Sequence, residues 1–521
     1  LSSIFGLELV SKVYVVGVVA LCAVLMFKAL VGFRDLFNQS RNYMVCFIGA
    51  LFFTVNPWVT ARILSGHYFI LSSYAFTPLF LYYLVQYLDV DAEKYGFIKC
   101  SFLFSLVSMT SNHGFIMSLF LSFIITLWYL IIFKKGVVIL KASLVFIISL
   151  LINSFWIFPT LNMVFSGVRN ISFFQDISTS LSVNANWVNT IRLLGYFWTP
   201  YNQEIYTSGG LFYKVWFGLS FLLPALVLIS VISNRKTQTF NLFLLFVYVV
   251  STVLGQGTNF LGGYYLDFVR MPFMQLFRDP NKLLYLSSIS SALIIGTSLH
   301  VVLYQIRYIV SHGGFAVEIN KLLISFLIVS VFIVNFPWLS GDFNGVYSPS
   351  VRPQYSIASE DWLEQQPGDF RVLYLPLMNY LWFNWTQTGV NEPIRYLSPV
   401  PVFNPPFTAE YDISPASTFF MNYIANSLYD GSIENIGQLL DMALVRYVVV
   451  RLDFDPPGIP STYLDVLNGL EDIELVWNEG PIYIFENSLF SSDLIHSSSN
   501  PAVIFGGFDG LTTYISSGYN T

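Results

Sequence analysis

The chain has 521 residues, of which 55% are hydrophobic, 18% aromatic and 11% charged, with a mean hydropathy of +0.61; this excludes a soluble globular protein and defines a polytopic membrane protein. A formal net charge of −6 excludes a nucleic-acid partner, since no basic stripe is present to neutralise phosphates. The charge is unevenly divided: residues 1–337 hold 20 basic and 10 acidic side chains, whereas residues 338–521 hold 5 and 21.

Apolar runs suited to crossing about 30 Å of hydrocarbon, roughly 20 residues each with shorter ones tolerated, fall at 13–33, 43–56, 71–88, 97–111, 114–133, 137–157, 215–233, 240–255, 283–305 and 322–338. They predict about ten visible transmembrane helices over 1–338, followed by an extracytoplasmic α/β domain over 339–521. Pro57 follows the apolar run Met44–Val55 and ends the second helix at Asn56, because the residue before a proline is biased out of the helical region. A polar corner carrying Arg62 and His67 then precedes the third span. One reading makes it an interfacial loop, with Trp58 and Tyr68 at headgroup level and Arg62 snorkelling; the other makes it part of a functional face.

Basic residues gather in alternate loops: Arg34 and Arg41, Lys94 and Lys99, Lys134, Lys135 and Lys141, Arg235 and Lys236, then Arg307 and Lys321. That side is expected to be cytoplasmic. The external side then holds Asn56–Ile70, the Ser111–Gly114 turn, loops 158–214 and 256–282, and everything after 338. The start at Leu1 without a signal sequence, and the end just after a strand–turn–helix pattern, read as cuts in a longer protein. Cys22, Cys46 and Cys100 fall in or beside helices and predict neither a disulfide nor a metal site.

Loop 158–214 carries Arg169, Asp176, Arg192 and Glu204 among Trp, Tyr, Asn and Ser residues, and most of it is expected to be a lid of amphipathic helices on the bilayer. Loop 256–282 brings Asp267, Arg270, Arg278, Asp279 and Lys282 to the membrane boundary. Guanidinium binds phosphate bidentately and lysine adds a point charge, so these residues suit an anionic lipid head group. The structural alternative is an Arg278–Asp279 pair capping the next helix, with Arg270 anchoring an interfacial helix. His113, in the Ser111–Gly114 turn, is placed either to share a cavity with His67 or to serve as a hydrogen-bonded turn residue.

Beyond residue 339, strands at 370–375, 445–452, 473–477 and 482–485 alternate with helices, the last two joined by an Asn478-Glu479-Gly480 turn. This is an α/β or α+β pattern. The glycines at 506–510 form either a tight strand–helix turn or a phosphate cradle at a helix N-terminus. Asn170 and Asn384 open glycosylation sequons on the external side, and with the composition they suit an archaeal envelope.

The segments NPWVTARILSGHYFILSSYAFTPLFLYYL, VRMPFMQLFRDPNKLLYL and LLDMALVRYVVVRLDFD, followed by IELVWNEGPIYIFEN, resemble a group of archaeal and bacterial membrane proteins labelled 6-pyruvoyl-tetrahydropterin synthase-related. These are similar to polyprenyl-phosphate-dependent arabinofuranosyltransferases and other C-class (GT-C) membrane glycosyltransferases. The label does not imply pterin chemistry, since the histidine cluster of a pterin-synthase zinc site is absent from the sequence. The resemblance implies a lipid-phosphate sugar donor reached from the external face. It also implies an acidic residue in the first external loop acting as base or metal ligand, with a divalent metal, Mg or Mn, as a possible cofactor. That loop is expected upstream of Leu1, which leaves Asp176, Glu204, Asp267, His67 and His113 as substitutes within this chain. On the same resemblance Arg270, Arg278, Lys282 and Arg62 are assigned to the lipid phosphate, and aromatic residues of 158–214 and 397–420 to sugar stacking.

The leading expectation is inverting transfer from a polyprenyl-phosphate sugar to an extracytoplasmic glycan or glycolipid acceptor. A carboxylate deprotonates the acceptor hydroxyl, and cations or a metal stabilise the departing phosphate. The alternative is a noncatalytic cell-envelope membrane protein whose acidic domain binds glycans or surface-layer partners. A transporter fits less well, because the mid-helix segments are nearly free of ionisable residues.

Overall fold

The computed structural model describes residues 7–39, 42–89, 95–134, 136–165, 179, 181–196, 210–233, 237–271, 274–311, 316–340, 351–377, 380–386, 390–391, 398–403, 415–432, 436–455 and 459–491. Their contacts divide the chain into two compact units, Leu1–Gly167 with Ile171–Asn344, and Val168–Asn170 with Gly345–Thr521.

The first unit is helical: α1 (Leu7–Leu36), α2 (Tyr43–Thr54), α3 (Pro57–Leu64), α4 (Tyr68–Asp89), α5 (Gly96–Thr110), α6 (Asn112–Phe133), α7 (Val137–Phe165), α8 (Trp187–Thr190), α9 (Leu211–Ser220), α10 (Leu222–Ser233), α11 (Gln238–Leu254), α12 (Thr258–Leu261), α13 (Gly263–Arg270), α14 (Leu284–Ser311), α15 (Ala316–Val334) and α16 (Pro337–Ser340). Among the described residues, seven stretches can cross a membrane by length and composition, and three shorter apolar helices, Gly96–Thr110, Gln238–Leu254 and Lys321–Val334, accompany them. These are the ten expected apolar helices, and the chain is an integral membrane protein.

Two local rules shape the part that matters here. Asn56 is the N-cap of α3, its side chain accepting from Val59 N at 3.1 Å, and Pro57 takes the first helical position. The proline that ends α2 therefore also starts a new helix, so the corner expected to be a polar loop is helical. The Asn56 amide is tied to Phe53 O at 2.8 Å and to Ser288 Oγ at 3.1 Å, which locks the junction against α14.

Helix α14 occupies the middle of the bundle: Ser287, Ser288, Ser290 and Ser291 are buried along with Tyr285, Ile289, Ala292 and Leu293. Small residues let neighbouring helices approach closely where apolar area gives little drive for helix association. At Gly296 an added Cβ would lie 2.3 Å from Leu30 Cδ2, and at Gly49 3.0 Å from the Gly296 Cα.

The second unit holds a four-stranded sheet in the order β1-β4-β7-β6, from β1 (Arg371–Leu375), β4 (Val445–Arg451), β6 (Ile473–Glu479) and β7 (Ile482–Asn487). β1 and β4 run parallel, while β7 is antiparallel to both β4 and β6. Strands β2 (Tyr380–Phe383), β3 (Val390–Asn391) and β5 (Phe454–Asp455) make a second small sheet. The main sheet is covered on both faces: Leu373, Val448, Val450 and Phe485 pack in one cluster, and Val372, Tyr447, Val449 and Ile484 in another. Double-sided burial is why β4 reads as a nearly continuous apolar run. Beside it the buried Arg451 holds Asp453 through two bonds, Nε to Oδ1 at 3.0 Å and Nη2 to Oδ2 at 2.8 Å.

Candidate functional site

Helix α3 places Arg62 in its last turn with 0% of its surface exposed. A guanidinium there needs acceptors, and the chain entering α14 supplies them. Arg62 Nη1 donates to Asp279 Oδ2 at 3.0 Å and to His67 Nδ1 at 3.1 Å, and Nη2 donates to Asn281 Oδ1 at 2.5 Å. Tyr196 covers the group, its ring centroid 4.2 Å from the guanidinium carbon. Asp279 is itself fixed as the N-cap of a short 3₁₀ turn (Pro280–Leu283), Oδ1 accepting from Asn281 N at 3.1 Å. Trp58 Nε1 donates to the Asn281 carbonyl at 2.9 Å. Two turns far apart in the chain are thereby clamped together.

The junction of α5 and α6 completes the site. Ser111 caps α6 and brings His113 into its first turn, where Nε2 donates to Leu276 O at 2.9 Å. Lys282 Nζ reaches the same carbonyl at 3.4 Å. Gly114 permits this approach, since a Cβ there would lie 1.6 Å from Ser73 Oγ on α4.

Hydrogen bonding also sets the proton positions. A guanidinium cannot accept, so His67 Nδ1 is the acceptor and its proton sits on Nε2. Burial holds the His67 imidazole well below its ordinary pKa of 6.5, and the nearby charges of Arg62, Lys282 and Arg278 push it in the same direction. Among the described residues, three basic side chains around His67 face a single carboxylate, that of Asp279. Two buried donors, Arg62 Nε and Asn281 Nδ2, have no hydrogen-bond partner among the described residues. A cluster with surplus positive charge and idle buried N–H groups is chemically suited to an anion with several acceptor oxygens.

The structure thus gathers Arg62, His67, His113, Arg278 and Lys282. Arg270 is placed differently: its side chain is 49% exposed and pairs with Asp267 at 2.7 Å, Asp267 being 63% exposed, so the two charges offset each other on an open face. Asp279 caps the turn that leads into α14, as the structural alternative expects, and its ion pair is with Arg62. Trp58 is fully buried against this network and is not a headgroup anchor, and Arg62 does not snorkel. Asp176, Glu204, Arg169, Asn170 and the glycines of 506–510 lie outside the described residues. Asn281 and Tyr196 were not singled out from the sequence. The Asp-Pro-Asn run ahead of an apolar span was the available signal, since it is an N-cap followed by a proline at the first position.

A divalent metal does not fit this donor set. Among the described residues no three His, Cys, Asp or Glu side chains come together, and the one carboxylate here is committed to Arg62.

Comparison with known proteins adds the family context. The family described as "Alpha-(1->3)-arabinofuranosyltransferase, N-terminal GT-C domain" matches residues 20–473. Among solved structures, the arabinofuranosyltransferase AftD from Mycobacteria superposes with a TM-score of 0.61 at 14% identity, over 91% of this chain and 34% of its own. A second AftD structure, of a mutant, gives 0.56 at 14% identity over 90% and 34%. This chain thus spans about a third of the length of those proteins, and at such identity the likeness is one of fold. No curated protein matches the chain. None of the matches described carries the pterin-synthase-related label.

Proposed function

The chain belongs to the GT-C alpha-(1->3)-arabinofuranosyltransferase family, and from that premise we propose that it works as a membrane glycosyltransferase taking sugar from a polyprenyl-phosphate donor at the external face and passing it to a glycan or glycolipid acceptor. The reading rests on the basic cluster at Arg62, Arg278 and Lys282, with its two idle buried donors. A polyprenyl-phosphate sugar carries one negative charge on a phosphodiester. When the glycosidic C–O bond breaks, the leaving group becomes a phosphate monoester and its charge grows. Preorganised cations and N–H donors aimed at that phosphate bind the departing state more tightly than the ground state, which is the condition for lowering the barrier.

The other half of the reaction, deprotonation of the acceptor hydroxyl, falls to a carboxylate such as Asp176 or Glu204, or to one from a part of the protein beyond this chain. Supporting an external placement of the cluster is the alternation of basic loops, by which the α2–α4 corner, the α5–α6 junction and the approach to α14 fall opposite Lys99, Lys134 and Lys141.

The test is a titration of the purified full chain with a short-chain polyprenyl phosphate. Arg278→Ala and Lys282→Met should each weaken binding by about 10- to 100-fold, the worth of a charge-assisted hydrogen bond. Arg270→Ala should leave it unchanged. Equal affinity in wild type, Arg278→Ala and Lys282→Met would count against the donor site and favour a noncatalytic envelope protein.

A further inference from the structure

Asn-x-Ser/Thr sequons open at Asn38, Asn170 and Asn384, and Asn38 and Asn384 lie within the described residues. Asn384 follows β2 directly and stands between Phe383 and Trp385. Both of these neighbours are pinned. Phe383 is 2% exposed, and its ring stacks on that of Trp385 with centroids 4.9 Å apart. Trp385 Nε1 donates to Asp453 Oδ2 at 3.0 Å, and Arg451 holds that carboxylate in place. The backbone is fixed as well, the Asn384 N–H donating to the Asp453 carbonyl at 2.8 Å. Thr386 closes the turn: its N–H donates to Phe383 O at 3.0 Å and its hydroxyl to the same oxygen at 3.1 Å.

With its backbone and both flanking rings anchored, the turn presents the Asn384 side chain to solvent. That side chain is exposed, and among the described residues its amide makes no hydrogen bond. A sugar joined there would break no bond and displace no packed ring among them, which is the setting an N-linked glycan needs: a sequon asparagine on a surface turn. The second condition is contact with the external space. By the alternation of basic loops everything after residue 338 is expected there, whereas Asn38, also exposed, sits between Arg34 and Arg41 on the expected cytoplasmic side.

We propose that Asn384 is a site of N-glycosylation and that Asn38 is not. A separate membrane enzyme carries out the modification with a polyprenyl-linked oligosaccharide as donor. A bond forms between Asn384 Nδ2 and C1 of the first sugar, the bond from C1 to the phosphate oxygen breaks, the lipid phosphate leaves, and one Nδ2 proton passes to a base of that enzyme. The site rests on the expected sidedness of the chain and not on the donor assignment at Arg62.

The full chain is purified from the membranes of the cells that naturally produce it, and the peptides carrying Asn384 and Asn38 are sequenced by tandem mass spectrometry. The Asn384 peptide should carry a glycan, with sugar left on that residue after fragmentation, and the Asn38 peptide should be bare. Asn384→Gln and Thr386→Ala should each remove the modification completely, while Thr386→Ser should retain it, because the hydroxyl at the third position is what the sequon requires. A bare Asn384 peptide, a glycan that survives Thr386→Ala, or a glycan on Asn38 would overturn the proposal. If a variant does not fold, the two wild-type peptides decide alone.

Discussion

A guanidinium sealed from water needs acceptors in the directions its N–H groups point, and Arg62 finds them in Asp279, Asn281 and His67. Hydropathy placed Arg62, His67, His113 and Lys282 in loops on one side of the membrane, but it carries no information on which residues of separate loops meet. Asp279 is 217 positions away from Arg62, and their pairing depends on how α3 and α14 pack. For the same reason Arg270 looked equivalent to Arg278 in the sequence, although it is spent on Asp267 at the surface. His67 yields a pH prediction. Its folded pKa lies below the ordinary 6.5 while the unfolded chain keeps that value, so below about pH 6.5 the unfolded state binds more protons and stability falls. Between pH 7.5 and 5.5 the loss should be about 1 kcal/mol from this side chain. His67→Gln should flatten that part of the profile, as measured by chemical unfolding in detergent at both pH values.

At the scale of elements, the long apolar helices were legible because each needs an uninterrupted hydrophobic run, and their observed limits fall within a few residues of the expected ones for most. Helix α3 was not, because its eight residues are mixed in character and Pro57 signals a stop and a start equally well. The hairpin of β6 and β7 was legible from its turn, where Gly480 has a φ of +56°. The parallel pairing of β1 with β4 joins distant segments and had no local signal. The crossing of α1, α2 and α14 at Gly49 and Gly296 is likewise a tertiary fact. Gly296→Val should force Leu30 aside and cost about 1–3 kcal/mol. Gly17→Ala, with open space around the position, should cost nothing measurable. Unfolding midpoints of the two variants check the contrast.

Across the whole molecule, the alternation of basic loops is a statement about sidedness that accessibility can test. The three cysteines, Cys22, Cys46 and Cys100, are buried, so a membrane-impermeant maleimide should report introduced thiols. Tyr264, 82% exposed beside the approach to α14, and Tyr95, 62% exposed at the start of α5, lie on opposite sides of the expected arrangement. In intact cells Tyr264→Cys should label and Tyr95→Cys should be protected until the cells are opened. The reverse pattern would put the basic cluster in the cytoplasm and remove the external donor from consideration. The carbonyl of Leu276 takes on a further meaning in this setting. Because both His113 and Lys282 donate to it, the oxygen stays satisfied by the imidazole when the lysine turns away. The ammonium, held by the longer of the two bonds, is therefore the exchangeable one: on the proposed function it would turn to the donor phosphate without stranding an acceptor, while the rest of the cluster stays fixed.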